Sequence, residues 1–277
     1  VVETVFNSFF GEASYNYSDK YFFSASLRRD GSSKFSKDNR WSTFWSIGGR
    51  WNMMKENFME NFKPWLNQLD FKASYGTTGN SSIGDYAYFG LVSGQGVQYN
   101  GENGLILSQS SVKDLTWETV AQANIGFEAR VFDRFTLGFE YYHKKTSDML
   151  LSIPYSYTTG FSSGAGNIGA MVNKGIDINV DVDIINKPDM YWGVKANVNY
   201  NKNEITELFN GLDEYVISNS GLKLQVGKPF GEFYLVERSH IDSRDGKQVW
   251  YDADGNLTKT YDATNNSVFT GKQRFAP

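Results

Sequence analysis

Residues 118–149 (ETVAQANIGFEARVFDRFTLGFEYYHKKTSDM) constrain the fold more than any other stretch. Every second residue is apolar at Ala123, Ile125, Phe127, Ala129 and Val131. After Phe132-Asp133-Arg134 the pattern restarts with Phe135, Leu137, Phe139 and Tyr141. A period of two is that of a β-strand with one apolar and one polar face. A turn centred near Asp133 predicts Ala129 opposite Leu137, Phe127 opposite Phe139 and Ile125 opposite Tyr141. Two architectures use such strands. A sandwich turns the apolar face onto a second sheet, whereas a membrane barrel turns it toward lipid.

The same period recurs along the chain. It predicts strands at 5–17, 21–29, 41–51, 70–79 and 174–185, and a further strand carrying Val194, Ala196, Val198 and Tyr200. A turn centred on Pro188 would set Asp181 opposite Lys195. Residues 55–67 break the period; Phe58, Phe62, Trp65 and Leu66 predict a short amphipathic helix, limited by Pro64. Residues 30–40, 80–117 and 151–171 read as loops. Residues 205–277 read mainly as one long loop with small hairpins, including a turn at Asp254-Gly255. Short connections follow Tyr17, Val131 and Ile185, and long ones follow Arg29, Gly79, Leu150 and Leu208. One end of the sheet is therefore tight and the other elaborate, as in outer-membrane barrels. Tyr15, Tyr17, Tyr21, Phe132, Phe135, Tyr191 and Trp192 gather at strand ends, where a barrel carries its aromatic girdle. An apolar fraction of 40% suits a wall with a wet inner face. The alternative is a soluble or surface β-sheet protein that holds carbohydrate with its loop aromatics.

Several function classes drop out. There is no cysteine, so thiol catalysis, disulfides and Cys-ligated metals are excluded. A net charge of −4 gives no footprint for nucleic acid. No run of 18 apolar residues predicts a transmembrane helix. Gly164, Gly166 and Gly169 spell G-x-G-x-x-G, but a dinucleotide loop needs a strand before it and a helix after it. Asp252, Asp254 and Asn256 hint at a calcium loop, yet the spacing fits a hairpin turn better. His143 and His240 are far apart, and His143 falls on the apolar parity of its strand, as an interfacial residue. No catalytic constellation, cofactor motif or metal site is expected, and the chain reads as a piece of a longer protein.

Eleven segments then carry a family likeness: RRDGSSKF (28–35), NRWSTFWS (39–46), ASYGTTGN (73–80), IGDYAY (83–88), LTWET (115–119), QANIGFE (122–128), EYYHKKTSDML (140–150), TTGF (158–161), NIGAMVNKGID (167–177), YNKNEITEL (200–208) and GKPFGEFY (227–234). In that order and spacing the chain resembles the C-terminal part of the barrel of SusC/RagA-type TonB-dependent outer-membrane transporters of the Bacteroidota. The resemblance implies an all-β fold: about eight antiparallel transmembrane strands of a roughly 22-stranded barrel with long extracellular loops. It implies that the plug, the TonB box and the barrel-closing ends lie outside residues 1–277. The implied activity is TonB-coupled import of a glycan oligosaccharide or a peptide across the outer membrane. A SusD-like surface lipoprotein, the TonB complex and outer-membrane lipid are the implied partners.

Two residue sets are candidates for the site. On lumen parity lie Arg28, Arg50, Lys72, Glu128, Arg130, Glu140, Lys144, Asp177, Asp181, Asp183 and Lys195. The loop aromatics Tyr86, Tyr88, Phe89, Tyr99, Tyr155, Tyr157, Trp250 and Tyr251 offer flat apolar faces to sugars or peptide side chains. The plainer reading of the first set is a solvated wall, and of the second, packing among loops.

Overall fold

The computed structural model describes residues 3–94, 98–161, 163–217 and 221–273. The chain divides into two compact units, Val1–Lys202 and Asn203–Pro277. Eight long strands organise the first: β1 (Phe6–Tyr17), β2 (Tyr21–Ser32), β3 (Trp41–Asn52), β4 (Leu66–Asn80), β5 (Glu118–Val131), β6 (Phe135–Ser147), β7 (Ala170–Lys187) and β8 (Met190–Glu207). They neighbour one another in sequence order within a single sheet. Every pairing from β1 to β7 is antiparallel. Among the described residues no helix is long and apolar enough to cross a membrane.

The β5–β6 register is the expected one, with Ala129 opposite Leu137, Phe127 opposite Phe139 and Ile125 opposite Tyr141. The apolar parity of each strand meets that of the next, so one face of the sheet is predominantly apolar. It carries a row of direct cross-strand partners, Tyr17, Tyr21, Trp51, Phe71, Phe127 and Phe139. Their ring centroids follow one another at 5.8–6.5 Å. Such pairs add about 0.5–1 kcal/mol each beyond the area they cover. Among the described residues of this unit nothing covers the face: Phe23, Ile47 and Ile125 are 57%, 53% and 59% exposed. The sandwich alternative fails on that observation.

The tight connections are closed by local polar contacts. At the β1–β2 turn Ser18 and Asp19 take φ of 53° and 54°. The Asn16 carboxamide accepts from the Asp19 amide at 3.0 Å and donates to the Asp19 carboxylate at 2.7 Å. At the β5–β6 turn Phe132 has φ of 54°, costly for a bulky residue. Its amide is anchored on the Trp65 carbonyl at 2.7 Å, and the next amide, Asp133, on the Asn67 side chain at 2.7 Å.

Three expectations are corrected. Residues 55–67 are not an α-helix but two 3₁₀ segments, Met53–Lys55 and Asn57–Phe62, separated by extended Glu56. The buried side chains there are Met54, Met59 and Leu66, while Phe58, Phe62 and Trp65 are exposed. Strand β2 runs on to Ser32 rather than ending at 29, because Asp30 and Gly31 pair with Ser42 and Trp41. Backbone pairing, not apolar period, holds that end. The loops at 80–117 and 151–171 also contain hairpins, among them Leu91–Ser93 with Ile106–Gln109 and Leu150–Pro154 with Ser163–Asn167.

The second unit builds a four-stranded sheet from Glu214–Ile217, Leu222–Gln225, Glu232–Leu235 and Val268–Gln273. A three-stranded sheet is formed by Arg238–Ile241, Gln248–Tyr251 and Leu257–Thr258. Ile205, Leu208 and Leu224 form its buried core.

Candidate functional site

The polar face of the eight-stranded sheet is a wall of compensated charge. Lys72 and Glu128 pair at 2.8 Å, Arg130 and Asp183 at 3.5 Å, Lys195 and Asp181 at 2.6 Å, and Arg28 and Asp30 at 2.6 Å. The Lys195–Asp181 contact is the one expected from a turn at Pro188. Register sets Arg50 directly opposite Lys72, and Asp70 directly opposite Glu128. Like charges facing each other repel. The diagonal Lys72–Glu128 pair relieves both juxtapositions, and the Gln68 amide donates to Asp70 at 2.8 Å and Glu128 at 3.2 Å. Arg50 lies over the Phe22 ring, 3.9 Å from its centroid. A hollow of about 520 Å³ on this face is lined by Asn16, Phe22, Arg50, Lys72, Asn124 and Glu140. Asp177 stands opposite Glu140 and accepts from the Asn199 amide. Lys144 shares this parity.

At the loop end a second assembly forms around Trp117. The indole is 3% exposed, with ring centroids of Phe35, Phe44 and Phe6 at 5.3, 5.7 and 6.0 Å. Its N–H donates to the Arg40 carbonyl at 3.1 Å. Leu115 is buried with it, and Ile83, Tyr88, Leu150 and Ala165 pack around the cluster. Gly79 is where it is because a Cβ there would overlap the Phe44 ring. Polar clamps tie the loop roots together. Asn167 pairs with both backbone groups of Thr116, at 2.6 and 2.7 Å, and donates to the Asp148 carbonyl at 2.9 Å. Glu118 accepts from the Leu150 amide at 3.1 Å and from Asn80 at 3.2 Å. Three loops, 33–40, 81–117 and 148–169, thus share one core.

Tyr86, Tyr88 and Phe89 come together, with Phe89 centroids 6.1 Å from Tyr86 and 4.2 Å from Tyr88. Gln109 fixes their backbone by donating to the carbonyls of Tyr86, Ala87 and Phe89 at 2.9–3.2 Å. Tyr88 packs against the Trp117 core, whereas Tyr86 and Phe89 are 36% and 44% exposed. The Tyr155 ring covers Gly164, so it serves its own hairpin. The side chains of Tyr99 and Tyr157 lie outside the described residues. In the second unit Trp250 packs edge-on against Tyr261 at 5.0 Å, and Tyr251 is half-buried beside it in sequence. The nearby Asp252 carboxylate accepts the amides of Asn256 and Asp254 at 2.8 and 3.0 Å, which hold its pKa below the usual carboxylate range. Register there, Tyr251 opposite Leu257, is that of a hairpin turn.

Residues 2–272 match the family model for the TonB dependent receptor-like β-barrel. The chain belongs to that family. TonB-dependent receptor P3 of Formosa agariphila is 34% identical over 92% of this chain. TonB-dependent receptor SusC of Bacteroides thetaiotaomicron is 32% identical over 91% of it. The solved RagAB peptide importer in its open-open state superposes with a TM-score of 0.87 and 35% identity, covering 98% of this chain. The SusC/RagA likeness of the ordered segments is therefore borne out. The chain spans only 28% of the P3 receptor, 27% of SusC and 30% of the solved RagAB chain. As a TonB-dependent receptor barrel segment, its eight-stranded sheet is wall. Outer-membrane barrels turn the apolar face of such strands to lipid and the polar face to the lumen.

The residues of the Trp117 assembly were missed as site residues, although the signal was present. Phe35, Phe44, Asn80, Leu115, Trp117, Glu118 and Asn167 all fall inside the family-like segments. Those segments are the parts that root the loops, not the parts that project from them.

Proposed function

We propose that this chain supplies wall and mouth to an outer-membrane receptor that imports a large nutrient, an oligosaccharide or a peptide, with energy from TonB. The observation that carries this reading is one continuous sheet, predominantly apolar on one face and charged on the other, with the loops 33–40, 81–117 and 148–169 rooted in one core. On this reading residues 1–277 are a partial barrel, and the plug and the remaining strands belong to the rest of the protein. Arg28, Arg50, Lys72, Glu128, Arg130, Glu140, Lys144, Asp177, Asp181 and Lys195 look into the lumen. The tight turns face the periplasm. The loops face outward, where a SusD-like lipoprotein closes over them. Tyr86 and Phe89 are the leading ligand contacts, being paired, partly exposed and backbone-fixed. Tyr88, Tyr155 and Trp250 pack within their loops.

The likeness to the RagAB peptide importer supports a peptide, and an oligosaccharide is the second substrate class. The test uses the full-length receptor. Its deletion strain is grown on single glycans and on peptides as sole nutrient source. Loss of growth on one class, reproduced by loss of TonB and restored by the receptor gene, is the expected result. Recovery of the receptor in the soluble fraction, or growth independent of TonB, would overturn the reading.

A further inference from the structure

The lipid-facing side of the wall is not uniformly apolar. Across β1 to β7 every Asp and Glu falls on the other face. The apolar parity carries three full cations, Arg29, Lys145 and Lys174, together with His143. All four lie toward the loop ends of their strands, and all are exposed. Lys174 stands directly opposite His143 and diagonal to Lys145, which faces Val172. Arg29, on β2, lies 5.7 Å from the Trp41 ring centroid, and Phe9 stacks on that same ring at 6.1 Å. Among the described residues no carboxylate pairs with Arg29, Lys145 or Lys174.

Depth explains where they sit. Lys145 is ten residues beyond Phe135 at the tight turn. Ten steps of about 3.4 Å at a tilt of about 40° climb roughly 26 Å, close to the height of the apolar band of such barrels. Arg29, eight residues beyond Tyr21, reaches about 21 Å on the same reckoning. Arg29 and Lys145 thus reach the membrane–water boundary at the loop end, and no carboxylate of β1 to β7 shares their face.

We propose that this basic rim binds the phosphate groups of lipids in the leaflet at the loop end. The aliphatic stems of the lysines lie along the apolar wall, and their ammonium groups stand at headgroup level. Arg29, beside the Trp41 ring, offers a planar fork suited to a phosphate. The inference rests on the outer-membrane placement proposed above and is independent of the imported substrate. Membrane fractionation checks the placement by itself.

The test uses full-length receptor in an uncharged detergent, with native mass spectrometry counting bound lipid. The two probes are purified lipid A and the same lipid stripped of its phosphates. Each basic group near an anionic headgroup contributes about fivefold in affinity, so losing the neighbouring Lys145 and Lys174 should cost about 25-fold at their site and losing Arg29, four strands away, about fivefold at its own. The wild type should bind phosphorylated lipid A much more tightly than the stripped lipid. The R29Q/K145Q/K174Q receptor should show those losses for the first and none for the second. K187Q, at the tight end, should bind as the wild type does. Equal affinity of the wild type for the two lipids overturns the proposal without any variant. So does a triple variant that binds phosphorylated lipid normally while keeping the heat-shifted gel mobility of a folded barrel.

Discussion

Replacing Trp117 by Ala should release the mouth while leaving the wall intact. The indole is almost fully buried among Phe6, Phe35, Phe44 and Leu115. Truncating a buried tryptophan removes about 3–5 kcal/mol of packing. The lost hydrogen bond adds about 1 kcal/mol at most, because the Arg40 carbonyl keeps a second donor in the Ser32 amide at 3.2 Å. At 1.4 kcal/mol per decade, loop opening should become at least about a hundredfold more frequent, and up to about ten-thousandfold. Hydrogen exchange of the whole receptor in detergent measures this directly. The reporting amides are Val112, bonded to the Tyr88 carbonyl, and Thr116, bonded to Asn167. Amides within the β5–β6 ladder should not change. W117F, which keeps the ring and loses the N–H, should fall between. The reasoning fails if exchange at Val112 and Thr116 stays within about threefold of wild type. It also fails if the β5–β6 amides exchange faster to the same degree, since the loops and the wall would then be one cooperative unit.

Three further outcomes test other parts of the argument. Ile125→Arg places a charge on the lipid-facing wall about 16 Å above the tight turn and should cost about 2–4 kcal/mol in reversible unfolding from bilayers; Asn124→Arg on the opposite face should change stability by less than about 0.5 kcal/mol. Lys72→Gln should cost less than about 1 kcal/mol in the same assay, because Lys72 and Glu128 are 50% and 36% exposed and their attraction is screened. At the tight end, the Tyr21 hydroxyl, Lys20 and the Trp51 indole hold the Glu56 carboxyl below its usual range. A depressed carboxyl stabilises fully above its unfolded pKa, about 4.3, and loses that contribution as pH falls through the lower folded value. Trp51 fluorescence should therefore report loosening of the 53–65 turn below about pH 4, and Glu56→Gln should show no such transition.

Much of the wall was legible in the alternation of side chains. Period two along β5 and β6 fixed which residues share a face, and a turn at Asp133 fixed their partners. The Asp181–Lys195 contact followed from the same reasoning. Where the signal was not periodic, the reading weakened. Residues 55–67 looked helical because Phe58, Phe62, Trp65 and Leu66 recur at helical spacing. In the folded chain those rings stay outside, and Met54 and Met59 pack under the turn instead. Residues Asp30–Ser32 carry no apolar signal at all, and backbone pairing with β1 and β3 keeps them in the sheet.

The sequence by itself determined the strand faces, the alternation of tight and long connections, and a set of ordered segments with a family likeness. These are local or near-local properties, set by a two-residue period and by turn chemistry. That no second sheet among the described residues of the first unit covers the apolar face came from the folded structure, because burial belongs to the assembly and not to any strand. The tertiary structure alone gathered Phe35, Phe44, Trp117 and Asn167, which lie as far apart as 132 residues in the chain. It also showed that Tyr88 and Tyr155 pack within their own loops while Tyr86 and Phe89 stay partly exposed, since loop packing depends on contacts between segments that no local pattern encodes.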